Sequence, residues 1–372
     1  MKHTWVEVDL AVLGENVRNL RAALAPRAEL IAVVKADAYG HGAVPVARQA
    51  LREGARWFAV AHAHEAMRLR AALGTEFHVI ILGVVRPEEV PPLLDGHTYP
   101  ITVSPDHARA LGAAARAAGG VLPVHLKLDT GMGRLGMSWN DAPAACREIL
   151  RAPGIEVIGA CTHFARVEET EDDPARVQME RFSAIVRPLE KDMGRTLFKH
   201  VSSSRALLAH PDWDLDGVRP GILLYGYGAA RPDGRLHTRP ILQWKTRVAQ
   251  VRRAPAGFPV GYYGTYVTPA PTTLGVISLG YADGYLRALS NKGQALIRGR
   301  RCRVVGRVSM NWITVDLGPN TDCVEGDEAT LLGCDRGECI WADELALLCR
   351  TIPYEILTGI NAAIERRYDS PG

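Results

Sequence analysis

The first group of residues able to do chemistry lies in Leu30 to Gly42, which reads LIAVVKADAYGHG. Leu30, Ile31, Ala32, Val33 and Val34 form a short apolar, β-branched run, the pattern of a strand buried on both faces. The run stops at Lys35. An ammonium cannot extend a buried strand without a partner, so Lys35 is expected at the strand's mouth. An isolated strand-end lysine is more often a snorkelling side chain. The reactive alternative is a Schiff-base lysine, because burial lowers an amine's pKa and frees it as a nucleophile. Small residues (Ala36, Ala38), Tyr39 and Gly40-His41-Gly42 follow, where the glycines permit a tight turn or close approach to a ligand.

A second group lies in HLKLDTGMGRLG, where Lys127 and Arg134 flank a glycine-rich turn beside a strand end. Like charges about 4 Å apart cost roughly 4 kcal/mol at an effective dielectric of about 20. Either the two side chains diverge or something anionic sits between them. Gly131-Met132-Gly133-Arg134-Leu135-Gly136 matches G-x-G-x-x-G, but the dinucleotide fingerprint also needs a helix opening on that loop. Ser-Trp-Asn-Asp-Ala-Pro follows instead and starts a new turn. His62-Ala63-His64-Glu65 lacks a third ligand nearby and reads as structural rather than as a metal site. Ser202-Ser203-Ser204 precedes a helical run, so at least one serine is expected to cap it. The same position could hold a phosphate at a helix N-terminus. In Arg219-Pro220-Gly221-Ile222 the arginine is either a surface charge or an anion partner, and Gly221 offers backbone N–H groups.

These groups need elements to hold them. Thr4 to Leu10 alternates apolar and polar and reads as a half-buried strand, with a helix over Leu10 to Leu24. From Ile31 onward, β-runs recur at Trp57–Val60, Val79–Leu82, Thr98–Val103, Leu122–Leu128, Ile155–Cys161, Lys199–Val201 and Gly217–Arg219. Helices are expected over 43–53, 65–73, 105–118, 176–190 and 204–208, with a proline-started one at Pro87. Roughly eight β-runs, each trailed by a helix, predict a parallel (β/α)8 TIM-type barrel, with active residues at the strand C-termini. Near Pro240 the pattern changes to short β-runs punctuated by Gly and Pro: 244–251, 272–278, 294–297, 302–308 and 313–317. Tyr262, Tyr263, Tyr266, Tyr281 and Tyr285 fall in loops there. The fold class is thus α/β, a barrel over residues 1–238 followed by an all-β domain over 239–372. The first strand, 4–10, is a candidate to pair with that β-domain. A helix over 341–348 and the segment TIPYEILTGI close the chain.

The bulk composition fits this division. The chain has 372 residues, is 47% apolar and 23% charged, and carries a net charge of +3. That is ordinary for a soluble globular protein and gives no argument for nucleic acid. No apolar stretch is long enough to cross a bilayer, and MKHTWVEVDL has no hydrophobic signal core. Seven scattered cysteines without a Cys-x-x-Cys pair read as reduced thiols in the cytoplasm.

Taken together, AVVKADAYGHG, HLKLDTGMGRLG, Thr162-His163-Phe164, VRPGILLYG, the Tyr262 loop, LGYADGYLR, VGRVSM and IPYEIL resemble alanine racemase. This is a pyridoxal 5'-phosphate (PLP) enzyme family of the fold type that pairs a barrel with a β-domain. The resemblance runs from Trp5 to Glu355. It implies that Lys35 carries PLP and serves as one of two bases. It implies phosphate binding by Tyr39, Ser204, Gly221, Ile222 and Tyr354, and that Arg219 partners the pyridine nitrogen. An arginine does not surrender its proton, so the ring nitrogen would stay unprotonated and the cofactor would be a weaker electron sink. His163 would stack on the ring. Arg134 would bond the phenolic oxygen and orient the substrate carboxylate. Lys127 would carry a carbamate, which would be the anion between Lys127 and Arg134. Tyr262 would be the second base, since racemisation removes a proton from one face of Cα and returns it to the other. The resemblance further implies a cytoplasmic homodimer whose sites take Tyr262, Tyr281 and Met310 from the partner subunit, and a role in supplying D-alanine for peptidoglycan.

Three positions depart from the family's usual pattern. Tyr263 replaces the glycine after the tyrosine base and leaves Tyr263 as a second candidate for that role. Ser203 replaces an asparagine. Asn311 replaces an aspartate near the substrate's carboxylate end, which puts a serine or broader small-amino-acid racemase beside the alanine enzyme. A decarboxylase of this fold type would usually have an acid at Arg219's position. A PLP-binding carrier would leave the β-domain and its tyrosine loop without a role.

Overall fold

The computed structural model describes residues 4–168, 170, 173–228, 234 and 236–369; Met1 to His3 of the charged N-terminus lie outside them. The chain divides into two compact units, one of Leu13–Ala38 with Ala43–Arg239 and one of Met1–Val12, Tyr39–Gly42 and Pro240–Gly372.

In the first unit eight parallel strands run in the order Gly217–Val218, Glu29–Val33, Trp57–Val60, His78–Val84, Thr98–Thr102, Leu122–Asp129, Ile155–Cys161 and Phe198–His200. A single parallel bridge, Ser203 to Arg219, meets across the remaining gap, and the Arg219 N–H donates to Ser202 O at 2.9 Å. The result is a nearly closed (β/α)8 barrel. Its first strand is buried on both faces, as the run of Ile31, Ala32 and Val33 predicts. Helices Ala43–Arg52, Ala63–Leu73, Pro105–Ala117, Ala142–Ile149, Pro174–Met193 and Ser204–Ala209 follow the strands.

Two local expectations are corrected. The proline-started helix at Pro87 is two 3-10 turns, Pro87–Glu89 and Pro91–Leu93. Pro91 and Pro92 supply no N–H and clash with the preceding turn, so an α-helix cannot continue through them. Helix Ala142–Ile149 was not anticipated, although Pro143 in its first turn is a usable start signal.

In the second unit six antiparallel strands close on themselves. They are Leu242–Ala254, Thr272–Ile277, Ile313–Gly318, Arg300–Val304, Gln294–Ile297 and Glu328–Asp335, the last pairing back onto the first. Strand Trp5–Asp9 adds antiparallel to Leu242–Ala254, and Glu365–Asp369 adds parallel to Trp5–Asp9. The reading of all cysteines as reduced thiols is overturned for two of them. Strands Glu328–Asp335 and Glu338–Ile340 form a hairpin in which Cys334 and Cys339 lie directly opposite and are joined by a disulfide. Cross-strand pairing brings the two side chains to one face, which spacing alone does not reveal. Cys146, Cys161, Cys302, Cys323 and Cys349 are free.

Candidate active site

Lys35 follows the first barrel strand, at its C-terminal mouth. The next four residues all take left-handed backbone angles, with φ of +51° to +56° at Ala36, Asp37, Ala38 and Tyr39. Each costs an L-residue roughly 1–2 kcal/mol. Local bonds offset this. Glu65 Oε1 accepts the Ala36 N–H at 2.7 Å, and Asp37 Oδ1 accepts the Ala43 N–H at 2.9 Å and Arg68 Nη1 at 2.9 Å. The turn thus re-aims the chain immediately after the lysine.

Around the barrel mouth the cations Lys35, Lys127, Arg134 and Arg219 outnumber the carboxylates Glu65 and Asp129. The Lys35 amine is held below its ordinary pKa by burial first, then by Arg134 and Arg219, with Glu65 opposing. Lys127 is buried, donates from Nζ to Leu128 O at 3.2 Å, and is also pushed down, by burial first, with Arg219 and Arg134 adding to the effect and Cys161 and Asp129 opposing it. Arg219 weighs more on Lys127 than Arg134 does. His163 is pushed down to about 3 by burial and then by Arg219, Arg134, Lys127 and Lys35, so its imidazole is neutral. The structure therefore gathers Lys35, Lys127, Arg134, His163 and Arg219 into one electropositive cluster.

The Asp129 carboxylate is already engaged. Its Oδ1 accepts the N–H groups of Gly131, Met132 and Gly133 at 3.0, 2.8 and 3.1 Å, and its Oδ2 that of Arg134 at 3.0 Å. These bonds hold its carboxyl below the usual range against the opposing effect of burial. The glycine-rich loop's amides are thus turned inward onto Asp129, and a short strand, Met137–Ser138, follows in place of a helix. Both facts exclude a dinucleotide-type loop.

Arg219 is buried and fully engaged at its tip. Nη1 donates to His200 Nδ1 at 2.7 Å and to His200 O, and Nη2 donates to Thr162 O at 2.7 Å and Val201 O at 3.0 Å. A guanidinium has five N–H donors. Four are used, which leaves Nε–H. The triple serine behaves differently from expectation. Ser203 stands at the helix start but its side chain makes no capping bond. Ser202 Oγ donates to Trp213 O at 2.8 Å, while Ser204 Oγ accepts Gly221 N–H at 3.0 Å and Leu223 N–H at 3.4 Å. Trp213 in a 3-10 turn, and Gly221 and Leu223 at the turn that follows strand Gly217–Val218, claim these hydroxyls instead of the helix end. Ser204 keeps its own hydroxyl hydrogen as a donor. Ile222 opens a 3-10 turn, and its N–H has no acceptor within that turn.

The β-unit holds the remaining candidates. Tyr39 is buried edge-on against Tyr354, with ring centroids 5.7 Å apart, and burial raises both phenols. Tyr262 and Tyr263 lie in a 3-10 turn entered through Gly261 at φ +70°. Both are exposed, and Arg307 stands 4.5 Å over the Tyr263 ring. Tyr263 itself adopts φ +64°, so the turn keeps a glycine-type conformation without a glycine. The loops bearing Tyr281 and Met310 are joined, Tyr281 N–H to Ser309 O and Ala282 N–H to Met310 O, each at 3.0 Å. Tyr281, Met310 and Asn311 are exposed.

Family models described as "Alanine racemase, N-terminal domain" and "Alanine racemase, C-terminal domain" match residues 8–229 and 241–368. The chain belongs to the alanine racemase family. It is 41% identical over 364 residues to an alanine racemase of Syntrophobacter fumaroxidans, covering 97% of this chain and 96% of that protein. It is 41% identical over 370 residues to one of Carboxydothermus hydrogenoformans, covering 99% and 100%. The alanine racemase of Streptomyces coelicolor A3(2) superposes with a TM-score of 0.91 at 37% identity, covering 98% of each chain. That of Bartonella henselae, solved with covalently bound pyridoxal phosphate, gives 0.86 at 29% identity, covering 99% and 100%. The family consists of amino-acid isomerases, and the barrel plus all-β architecture is shared with these structures.

Sequence reasoning missed three residues that shape the site: Asp129, His125 and His200. Asp129 could have been suspected from its place before the glycine loop, since Asp side chains commonly bond backbone N–H groups two or more residues on. The histidines carry no spacing signal, because they lie on separate strands.

Proposed function

We propose that the protein is a PLP-dependent racemase that interconverts L- and D-alanine with Lys35 and Tyr262 as its two bases, supplying D-alanine for peptidoglycan in the cytoplasm. The observation that carries this reading is Arg219, whose four Nη–H groups are committed within the barrel mouth that also holds Lys35. Its single remaining donor suits a ring nitrogen that is never protonated.

The residues present fit PLP. Lys35 supplies an amine whose free base is favoured by burial. Ser204 Oγ–H and Ile222 N–H are donors for a phosphate beside Gly221, with Tyr39 and Tyr354 as further phosphate partners. The neutral His163 offers a flat face for the ring. PLP, when bound, withdraws electrons from the substrate's Cα and so acidifies its C–H bond.

This chain's own residues do the rest. Arg134 holds the substrate carboxylate and so presents Cα in one orientation. Lys35 Nζ takes or returns the proton on one face, and Tyr262 Oη does so on the other. Lys127 reacts as a free amine with carbon dioxide: its nitrogen bonds the carbon, one proton leaves, and a carbamate anion results. That anion balances Arg134 and the rest of the cationic cluster. Tyr262, Tyr281 and Met310 serve the site of a partner subunit in a homodimer. The functional division of the chain falls between 1–238 and 239–372.

A racemisation assay of the purified protein tests the proposal, with L- and D-alanine and a panel of small amino acids. Interconversion of the alanine enantiomers supports it; no turnover of any of them refutes it. Asn311 favours a second reading, a serine or broad small-amino-acid racemase, and a higher kcat/KM for serine than for alanine would select that instead.

A further inference from the structure

A buried chain of bonds runs behind Arg219. Arg219 Nη1 donates to His200 Nδ1 at 2.7 Å, and His200 Nε2 lies 2.8 Å from His125 Nδ1. Both histidines are fully buried. A guanidinium has donors only. His200 Nδ1 must therefore accept, and the proton of the neutral ring sits on Nε2. That N–H donates to His125 Nδ1, which must also accept. The proton of His125 in turn sits on its own Nε2, which has no hydrogen-bond partner. One orphaned buried N–H is the cost of this arrangement.

The barrel wall is shaped to admit the ring. Gly159 stands beside it on the next strand, and a Cβ there would lie 2.6 Å from His125 Nδ1 and Cε1. Tyr99 stacks near the ring with centroids 5.7 Å apart. Burial pushes His125 down to about 3, with Arg219 adding to the effect, and holds His200 well below its ordinary value. Neither ring takes a proton that would turn its accepting nitrogen into a donor.

We propose that His125 is a positioning residue: through His200 it locks the Arg219 guanidinium so that Nε–H alone faces the cofactor's ring nitrogen. The cofactor half of this claim rests on the proposed PLP function. The bonded chain itself does not. Without an acceptor at position 125, His200 is free to turn or to move its proton to Nδ1, where it would face the arginine donor to donor.

Two substitutions separate this role from space filling. His125→Asn places an amide oxygen close to where Nδ1 stood and keeps the acceptor. His125→Phe keeps the ring volume and removes it. The full-chain protein is labelled with 15N-histidine and its imidazole nitrogens are followed by long-range proton–nitrogen NMR, with and without added PLP. The wild type should show His200 and His125 as neutral Nε2–H rings that do not titrate where free histidine does, and so should His200 in the Asn variant. A protonated Nδ1 or an imidazolium at His200 in the wild type overturns the proposal whether or not PLP binds.

In the holoenzyme, His125→Phe should lower kcat for alanine about tenfold, the loss of one hydrogen bond, with KM within about twofold. It should also shift the cofactor's visible absorption. His125→Asn should stay within about threefold of wild type. A Phe variant like wild type, or a folded Asn variant as impaired as Phe, overturns the positioning role. If the Phe variant does not fold, the Asn variant decides alone: retained kcat supports the relay and lost kcat refutes it. Wild-type protein that takes up no PLP refutes the cofactor reading and this role with it, and the NMR result separates that failure from a wrong bond chain.

Discussion

Tyr263 shows how far a single residue can be judged from its backbone. It holds φ +64°, exposed, with Arg307 over its ring. The left-handed angle costs about 1–2 kcal/mol, and an exposed cation–π contact returns about 0.5–1 kcal/mol. The backbone cost is the larger. Tyr263→Gly should therefore stabilise the protein by about 0.5 kcal/mol, read as a raised denaturation midpoint. A lowered midpoint would show that the ring contact dominates. Because Tyr262 keeps its place in the turn, racemisation should survive this change.

The buried histidines make a second residue-scale prediction. His125 and His163 are pushed down to about 3, against about 6.5 in an unfolded chain. Between those two values the unfolded state binds more protons, so stability rises with pH there and falls as pH drops. Each histidine contributes a slope of about 1.4 kcal/mol per pH unit in that window. His125→Asn should flatten the wild-type stability profile by about one such slope near pH 5, measured by denaturant titration. An unchanged slope would mean that His125 titrates normally.

At the scale of elements, the glycine-rich loop shows what the spacing of a motif leaves unsaid, namely where its amides point. Its G-x-G-x-x-G spacing is genuine, but its amides bind Asp129 rather than a phosphate. Asp129 thereby fixes the backbone of Arg134. Asp129→Asn keeps the shape but loses one acceptor and the charge, a cost of about 1.5–3 kcal/mol for bonds to a charged group. Amide exchange at 131–134 should accelerate and the KM for alanine should rise about tenfold. Unchanged exchange at those amides would contradict the role. The barrel strands were legible because a parallel sheet covered on both faces leaves continuous apolar runs, as at Ile31–Val33. The serine bonds were not, because Ser202 and Ser204 are claimed by Trp213 and Gly221, whose proximity depends on barrel closure.

For the whole molecule, the lysine and tyrosine proposed as the two bases, Lys35 and Tyr262, fall in different compact units. The motifs around Lys35, Lys127 and Arg219 were readable because each is local in sequence. The His125–His200–Arg219 chain and the Cys334–Cys339 pairing were not, since each joins residues that only the assembled sheet brings together. The proposed shared site makes a prediction at this scale. Lys35→Ala and Tyr262→Phe subunits should each be nearly inactive alone. Random reassociation gives mixed dimers about half the time, each with one intact site of two, so activity should return to about a quarter of wild type. No recovery, with subunit exchange verified by mass, would refute sharing.

The central claim is that Lys35 carries PLP. Borohydride reduction of the purified holoenzyme, followed by proteolysis and mass mapping, tests it most directly, because reduction fixes the cofactor to whichever amine holds it. The account predicts the pyridoxyl group on the peptide containing Lys35, and its absence from the Lys35→Ala protein. A pyridoxyl group on Lys127 or any other lysine, or on none, would contradict it.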